Sequence, residues 1–139
     1  VDSAASQILF ASLLCFRLNL MASEITVGAY FRVINGNLKD EFNIGNQTIT
    51  QTASGGPTPG YFTLGTSEET IAFGELSTKG WCVIHNLDAT NFIKFGFSTG
   101  VYGGKLLAGE ACVFRLNTTS LYMIADTAAC KVLVKGYEN

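Results

Sequence analysis

The chain has 139 residues, of which 47% are hydrophobic and only 14% are charged, and its formal net charge is -2. This length is sufficient to bury a hydrophobic core without metal ions or disulfide bonds. The slightly acidic balance excludes the basic surface that nucleic-acid binding requires. Because soluble monomers usually carry about 25% charged residues, the low charge predicts that copies of the chain or a partner cover part of the surface.

The N-terminal segment is apolar. Residues 8–16 form a nine-residue apolar run, which is about the length of a signal-peptide core. An acidic residue precedes the run and an arginine follows it, and these flanks are wrong for a signal peptide. The run is also too short to cross a bilayer. Because Met21 resembles a natural start, we divide the chain into an N-terminal apolar extension, 1–20, and a single predicted β-sandwich domain, 21–139. The extension is either an upstream continuation of the reading frame or a short helix docked on a partner.

From residue 24 onward, short runs of β-branched and aromatic residues alternate with turns rich in Asn, Asp and Gly. This pattern is typical of antiparallel all-β domains. Asn35-Gly36 predicts a two-residue hairpin turn. The Gly- and Pro-rich segment 53–60 is predicted to be a surface loop between strands, and no domain linker. The predicted strand segments are 25–27, 30–34, 37–42, 47–52, 61–64, 69–75, 80–87, 91–97, 111–116, 120–125 and 129–137.

The spacing of short strands predicts an antiparallel β-sandwich or jelly roll of roughly nine strands, preceded by a short N-terminal helix or extension. Helical periodicity is confined to residues 3–18. The apolar segments 80–87 and 111–116 are expected to be central strands of the sheets.

Cys15, Cys82, Cys112 and Cys130 are the four cysteines, and they could in principle form two disulfides. No CxxC or Cys/His spacing is present, and the single histidine leaves no zinc ligand set. Three of the thiols lie in predicted strands, where a free cysteine packs as a small hydrophobic residue. We therefore predict reduced, buried thiols, which indicates a reducing cytoplasm during folding.

No catalytic, cofactor or metal site is predicted. His85 is the only histidine, and Cys82 points to the opposite face of the same strand, so no nucleophile pairs with it. Asp88 is expected to accept hydrogen bonds from backbone amides in an Asx turn that extends to Asn91. Two side chains supply too few oxygen ligands for calcium.

The other candidate groups also have structural interpretations. Glu68 and Glu69 are adjacent, so in a strand their carboxylates face opposite sides and cannot act as an acid/base pair. No Lys-Ser/Thr pair follows the glycines at 96, 100, 103 and 104, so they do not form a phosphate-binding loop and are expected to be hairpin glycines with positive φ. An aromatic set suits core packing better than sugar binding, because phenylalanine predominates in it. Its members are Phe92, Phe95, Phe97, Tyr102 and Phe114.

Several motifs resemble small β-rich structural proteins of tailed bacteriophages. They are Gly80-Trp81, NLDATNF at 86–92, LLAGE at 106–110, FRL at 114–116, Leu121-Tyr122 and ADTAA at 125–129. The resemblance covers residues 25–138 and rests on turn and strand motifs without a catalytic signature. It implies a virion component assembled in the host cytoplasm, either a capsid decoration or cement protein or a part of the neck or tail. It identifies no individual functional residues.

The expected function is therefore that of a bacteriophage virion structural protein, not an enzyme, which acts through protein–protein contacts. Its expected partners are further copies of itself, with a trimer implied by the resemblance, and other virion proteins such as the major capsid protein. Neither nucleic acid nor membrane is an expected partner. The alternative is a glycan- or receptor-binding β-sandwich such as a fibre tip, for which Tyr102 and the turn at 88–91 are the available contacts.

Overall fold

The computed structural model describes residues 24–139, and the chain divides into two compact units, Val1–Gln51 and Thr52–Asn139. Within the described residues the protein is all-β, with ten antiparallel strands and no helix. This confirms the predicted fold class. The strand count is ten because Gly104–Leu106, a three-residue strand, is too short to produce a recognisable alternation. The helical segment predicted at 3–18 lies outside the described residues.

The first unit contains a long β-hairpin. Strand β1 (Ile25–Asn35) pairs antiparallel with β2 (Leu38–Ile49), and these two strands form a sheet of their own. Asn35 is the register partner of Leu38, so Gly36 and Asn37 occupy the turn. The turn therefore lies one residue later than the sequence predicted. Gly36 has a φ of 56°, which suits the first central position of the primed turns that close hairpins.

A β-bulge explains why each hairpin strand was predicted as two separate strands. The register shifts between Gly28 and Tyr30, where β2 contributes Ile44 and Gly45 opposite a single residue of β1. Gly45 has a φ of 66°, and its backbone N–H donates a hydrogen bond to Asn43 Oδ1 at 2.8 Å. A glycine in this conformation accommodates the extra residue, so both strands continue through the irregularity.

The second unit is a sandwich of two four-stranded sheets. The first sheet has the order β3-β10-β5-β8 and the second has the order β4-β9-β6-β7. The strands are β3 (Thr58–Leu64), β4 (Glu69–Ala72), β5 (Lys79–Asn86), β6 (Ile93–Gly96), β7 (Gly104–Leu106), β8 (Ala111–Arg115), β9 (Ser120–Ala125) and β10 (Cys130–Glu138).

The strand order is that of a jelly roll. The eight strands pair in a nested series, β3 with β10, β4 with β9, β5 with β8 and β6 with β7, and alternate pairs fall in opposite sheets. Two sheets of four strands arranged in this way define the jelly-roll architecture. The segment predicted as a loop at 53–60 lies just after the boundary between the units, and its last three residues begin β3. The hairpin and the jelly roll are therefore described as separate compact units, and the single domain over 21–139 stays a prediction.

The core of the jelly roll is formed by the inward-facing residues of both sheets. In β5, alternate residues are buried, as expected for a strand with one face against a core. β5 is a central strand, as predicted, whereas β8 forms the edge of its sheet and is half-exposed along its length. The buried apolar residues are Leu64, Ile71, Phe73, Leu76, Cys82, Ile84, Ile93, Leu106, Leu116, Leu121, Met123, Ala125, Cys130, Val132 and Val134.

The thiols follow the sequence prediction within the described part of the chain. Cys82 and Cys130 are fully buried in the core, Cys112 is half-buried, and all three are free. Burial raises the pKa of the Cys82 thiol to about 12, because the apolar surroundings penalise the thiolate. Cys15 lies outside the described residues.

Candidate functional site

His85 lies on the outer face of the first sheet and is half-buried. Its cross-strand neighbours are Leu133 on β10 and Ala111 on β8, neither of which carries a titratable side chain. Across residues 24–139, no group of three His, Cys, Asp or Glu side chains is placed to hold a metal ion. The two residues directly opposite His85 therefore cannot exchange a proton with it or share a metal ion with it.

The turn that follows β5 has the predicted Asx geometry. One carboxylate oxygen of Asp88 accepts hydrogen bonds from the backbone N–H groups of Asn91 at 2.7 Å and Thr90 at 2.8 Å. The same oxygen accepts weaker hydrogen bonds from both of their side chains. The hydrogen bond from the Asn91 amide is the main reason that the pKa of Asp88 is lowered. This oxygen stabilises its own loop.

Glu68 and Glu69 act separately, as predicted, but each has a structural role that the sequence did not reveal. The Glu68 carboxylate accepts hydrogen bonds from the Tyr102 hydroxyl, the Gly100 backbone N–H and the Thr99 hydroxyl. These bonds, that from Tyr102 above all, lower the pKa of Glu68. Glu69 accepts from the backbone of its own loop. The hydrogen bonds to Glu68 therefore connect the loop between β6 and β7 to the residue that precedes β4.

The glycines of this region differ from the prediction. Of the four at 96, 100, 103 and 104, Gly100 has a positive φ, 69°. The glycines at 96 and 104 lie within β6 and β7 instead of at a turn.

A buried asparagine connects the loops at one end of the jelly roll. Asn86 is fully buried, and its Nδ2 donates to the backbone carbonyls of Asn91 at 2.8 Å, Leu107 at 3.0 Å and Leu106 at 3.2 Å. Its Oδ1 accepts from the backbone N–H of Asp88 at 3.1 Å. Every polar atom of the side chain is thus satisfied, as a buried amide requires. Sequence reasoning missed this residue, because an asparagine beside a turn is common and its distant partners are not visible in the sequence.

Glu138 has a comparable role near the C-terminus. It is buried, and its carboxylate accepts hydrogen bonds from the Ser77 hydroxyl and backbone N–H, both at 2.6 Å, and from the Gly55 N–H at 2.9 Å. The hydrogen bond from the Ser77 hydroxyl is the main cause of the lowered pKa of Glu138. The carboxylate therefore joins two loops to the last strand.

The predicted aromatic set is largely occupied by internal packing. Phe95 and Phe114 stack across the two sheets with ring centroids 5.8 Å apart, and Phe97 contacts Phe114 edge-on at 5.7 Å. These rings line a groove of about 630 Å³ between β8 and the β6–β7 side of the sandwich. The ring of Phe92 is instead covered by the ammonium group of Lys105, 3.8 Å from its centroid. Phe95 and Phe114 therefore pack against the core as predicted, whereas Phe97 is 51% exposed and lies outside it.

The largest set of exposed apolar side chains lies on the hairpin. Six large apolar side chains of β1 and β2 are 42–60% exposed. The residues are Tyr30, Phe31, Ile34, Leu38, Phe42 and Ile44. In β2, every residue from Leu38 to Thr48 is exposed. Because exposed apolar side chains on one surface mark interaction sites, the hairpin, which carries Phe31, Leu38 and Phe42 on one face, is the candidate functional site of this protein.

Opposite residues in the hairpin ladder share a face, so the register separates two surfaces. The apolar face contains Phe31 opposite Phe42, Val33 opposite Asp40, and Leu38 next to the turn. The reverse face carries most of the charge, including the ion pair between Arg32 Nε and Glu41 Oε2 at 3.8 Å. The remaining members of the reverse face are Tyr30, Ile34, Lys39 and Asn43.

Comparison with known proteins identifies no relative: no family model, no curated protein and no solved structure matches this chain. Among residues 24–139, no helix has the length and apolar character needed to span a membrane. The functional argument therefore depends on the geometry of the described residues.

Proposed function

We propose that this chain is a bacteriophage virion structural protein, a capsid decoration or cement protein or a component of the neck or tail, which acts through protein–protein contacts. The observation that supports this most strongly is the hairpin, whose six large apolar side chains are 42–60% exposed. A two-stranded hairpin by itself is at best marginally stable in water. Contacts with other subunits would supply the missing stabilisation.

The low charge of the chain supports the same proposal. Only 20 of the 139 residues are charged, 9 basic and 11 acidic, so apolar surface is left to be covered by assembly. A jelly roll is compatible with this role, since viral capsid domains use the architecture, but lectins and cupins use it too. We therefore base the proposal on the exposed hairpin, with the resemblance in the sequence motifs as additional support.

The two contacts proposed for the alternative glycan-binding function are partly engaged in hydrogen bonds within the protein. The hydroxyl of Tyr102 donates to Glu68, and one carboxylate oxygen of Asp88 accepts from its own turn. Since a sugar site needs free donors and acceptors beside an exposed aromatic ring, we favour the structural role.

Purified particles test the proposal. Virions of the phage that encodes this chain should contain it in a fixed, stoichiometric amount, measurable by quantitative mass spectrometry. Cryo-electron microscopy should place its jelly roll in the head, neck or tail. Absence from the particles, while the chain accumulates in infected cells, would refute the proposal. His85→Ala should leave incorporation unchanged, because the two cross-strand neighbours of this histidine, Leu133 and Ala111, carry no titratable side chain.

A further inference from the structure

We infer that β8 binds an extended segment of another protein, which adds to the edge of the four-stranded sheet and places alternate apolar side chains in the groove beside β8. The surface belongs to the jelly roll alone. It consists of the free edge of β8 and the groove that Phe95, Phe97 and Phe114 line. The inference goes beyond the proposed function, because it names a contact outside the hairpin and the chemistry of the segment that fits it.

The backbone of β8 offers hydrogen-bonding groups to a further strand. The Leu116 N–H donates to a β5 carbonyl at 2.7 Å, and the Glu110 carbonyl accepts from a β5 N–H at 2.9 Å, so the even-numbered positions from 110 to 116 face β5. In an antiparallel ladder, such residues alternate with residues whose N–H and C=O point the other way. The backbone groups of Ala111, Val113 and Arg115 therefore point to the free edge, where no strand among residues 24–139 pairs with them.

The other edges of the jelly roll carry features that oppose the addition of a strand. The two sheets end in four edge strands, β3, β8, β4 and β7. β3 contains Pro59, which has no N–H, β4 begins with Glu69, and β7 has three residues with Lys105 at its centre. β8 has five residues and no proline, and its single charge, Arg115, lies at its last residue. β8 is therefore the edge that is best suited to pair with a partner strand.

The groove beside this edge is apolar. Phe114 of β8 stacks on Phe95 of the opposite sheet with ring centroids 5.8 Å apart, and Phe97 contacts Phe114 edge-on. Phe97 is 51% exposed, so its ring offers surface to a bound side chain. The volume of about 630 Å³ is that of an ordinary ligand site. The guanidinium of Arg115 lies over the Trp81 ring, 5.2 Å from its centroid, so this charge is held on the outer face of the sheet.

The edge and the groove together define the chemistry of the partner. Successive side chains of a strand point to opposite faces of a sheet, so every second side chain of an added strand lies on the groove side. Apolar side chains suit these positions, because phenylalanine rings line the groove. On the outer face, an acidic side chain complements Arg115. Peptides that add to sheet edges gain affinity from main-chain hydrogen bonds and specificity from pockets for alternate side chains, and β8 offers both.

Nuclear magnetic resonance of the full chain with a synthetic peptide tests the inference. The probe is a short peptide that alternates threonine and valine and ends in aspartate. Chemical shifts should change most at Ala111, Val113 and Arg115. At a peptide concentration about 10 times the dissociation constant from the titration, exchange of the Val113 amide hydrogen should slow about 10-fold, because only the unbound fraction exchanges.

Two pairs of matched variants separate the edge from the groove. Val113→Pro removes an N–H that points to the free edge, where proline is tolerated, and it should weaken peptide binding at least about 5-fold. Val113→Thr keeps this N–H and should weaken binding less than about 2-fold. Phe97 and Leu107 are 51% and 49% exposed, but Leu107 lies outside the groove. Phe97→Ser should weaken binding at least about 5-fold, and Leu107→Ser less than about 2-fold.

The inference would be overturned by absence of binding at millimolar peptide, by shift changes centred on other strands, or by equal affinities within either pair of variants. Slow exchange of the Val113 amide hydrogen in the chain without peptide would overturn it as well, because the hairpin or a second copy would then occupy the edge. All of these measurements use the purified chain. Their outcome does not depend on whether virions contain it, so failure of this inference is distinguishable from failure of the proposed function.

Discussion

Replacement of Asn86 by alanine is the sharpest test of how the jelly roll is held together. The substitution removes one side chain that is fully buried and bonded to four backbone groups. Nδ2 has two hydrogens and shares them among three carbonyls, and Oδ1 accepts one further bond, so about three hydrogen bonds are lost. At about 1 kcal/mol net for each bond, the free energy of unfolding should fall by about 3 kcal/mol.

A loss of this size is large relative to the stability of a typical domain, which is about 5–15 kcal/mol. In a domain of this size the melting temperature should fall by roughly 15 °C. Chemical denaturation followed by Trp81 fluorescence measures the free energy directly, and calorimetry measures the melting temperature. The fluorescence signal reports on the second unit, because Trp81 lies in β5, whereas calorimetry reports on the unfolding of the whole chain.

Asn91→Ala is the matched control for this experiment. The Asn91 side chain makes longer contacts with Asp88 and Thr90 at 3.3 and 3.2 Å and accepts from the exposed Thr127 hydroxyl, while its backbone carbonyl still accepts from Asn86 in the variant. Removal of the Asn91 side chain should lower the free energy of unfolding by less than about 1 kcal/mol. A loss below about 1 kcal/mol for Asn86→Ala, or equal losses for the two variants, would refute the view that the buried amide holds these loops.

Three further results are expected. Glu68→Gln should flatten the acid side of the pH–stability curve: the hydrogen bond from Tyr102 lowers the pKa of Glu68, so its stabilisation is present above the ordinary pKa and is lost as the pH falls through the lower folded value. The free energy of unfolding, measured with urea at several acidic pH values, checks this. An equally steep dependence on pH in the variant and in the unsubstituted chain would contradict it. The Cys82 thiol, with its pKa raised to about 12, should react with a maleimide only after unfolding, and labelling of the native chain seen by peptide mass spectrometry would disprove it. Gly36→Val should destabilise the hairpin by about 1 kcal/mol or more, because its φ of 56° strains a β-branched residue. Amide hydrogen exchange should therefore accelerate in β1 and β2, and unchanged exchange there would count against the turn.

The strands of the jelly roll were predictable because their signal is local. Alternation of apolar and polar residues with period two, ended by turn residues, located β9 at Ser120–Ala125 and placed β5 within one residue at each end. The Asx turn at Asp88 was predictable for the same reason, since the carboxylate accepts hydrogen bonds from backbone amides that lie within three residues of it.

The hairpin was predicted in outline, and its details were not. Asn35-Gly36 indicated a turn in the right place, but the register put Gly36 and Asn37 at its centre. The bulge at Gly45 was read as a break between strands, because a glycine in a strand and a glycine in a loop look alike in sequence. Which residues face each other was settled by the pairing of two segments far apart along the chain.

The sequence by itself determined the all-β class, the positions of most strands of the jelly roll and the free state expected for the thiols, since these depend on residue type and local spacing. The tertiary structure alone decided which strands are central and which lie at an edge, so β8 could not be placed in advance. It alone showed that Asn86 and Glu138 bond to backbone groups distant in sequence. It also showed that the apolar side chains of the hairpin stay exposed, because burial depends on which surfaces the folded chain brings together, and that information is absent from any single segment.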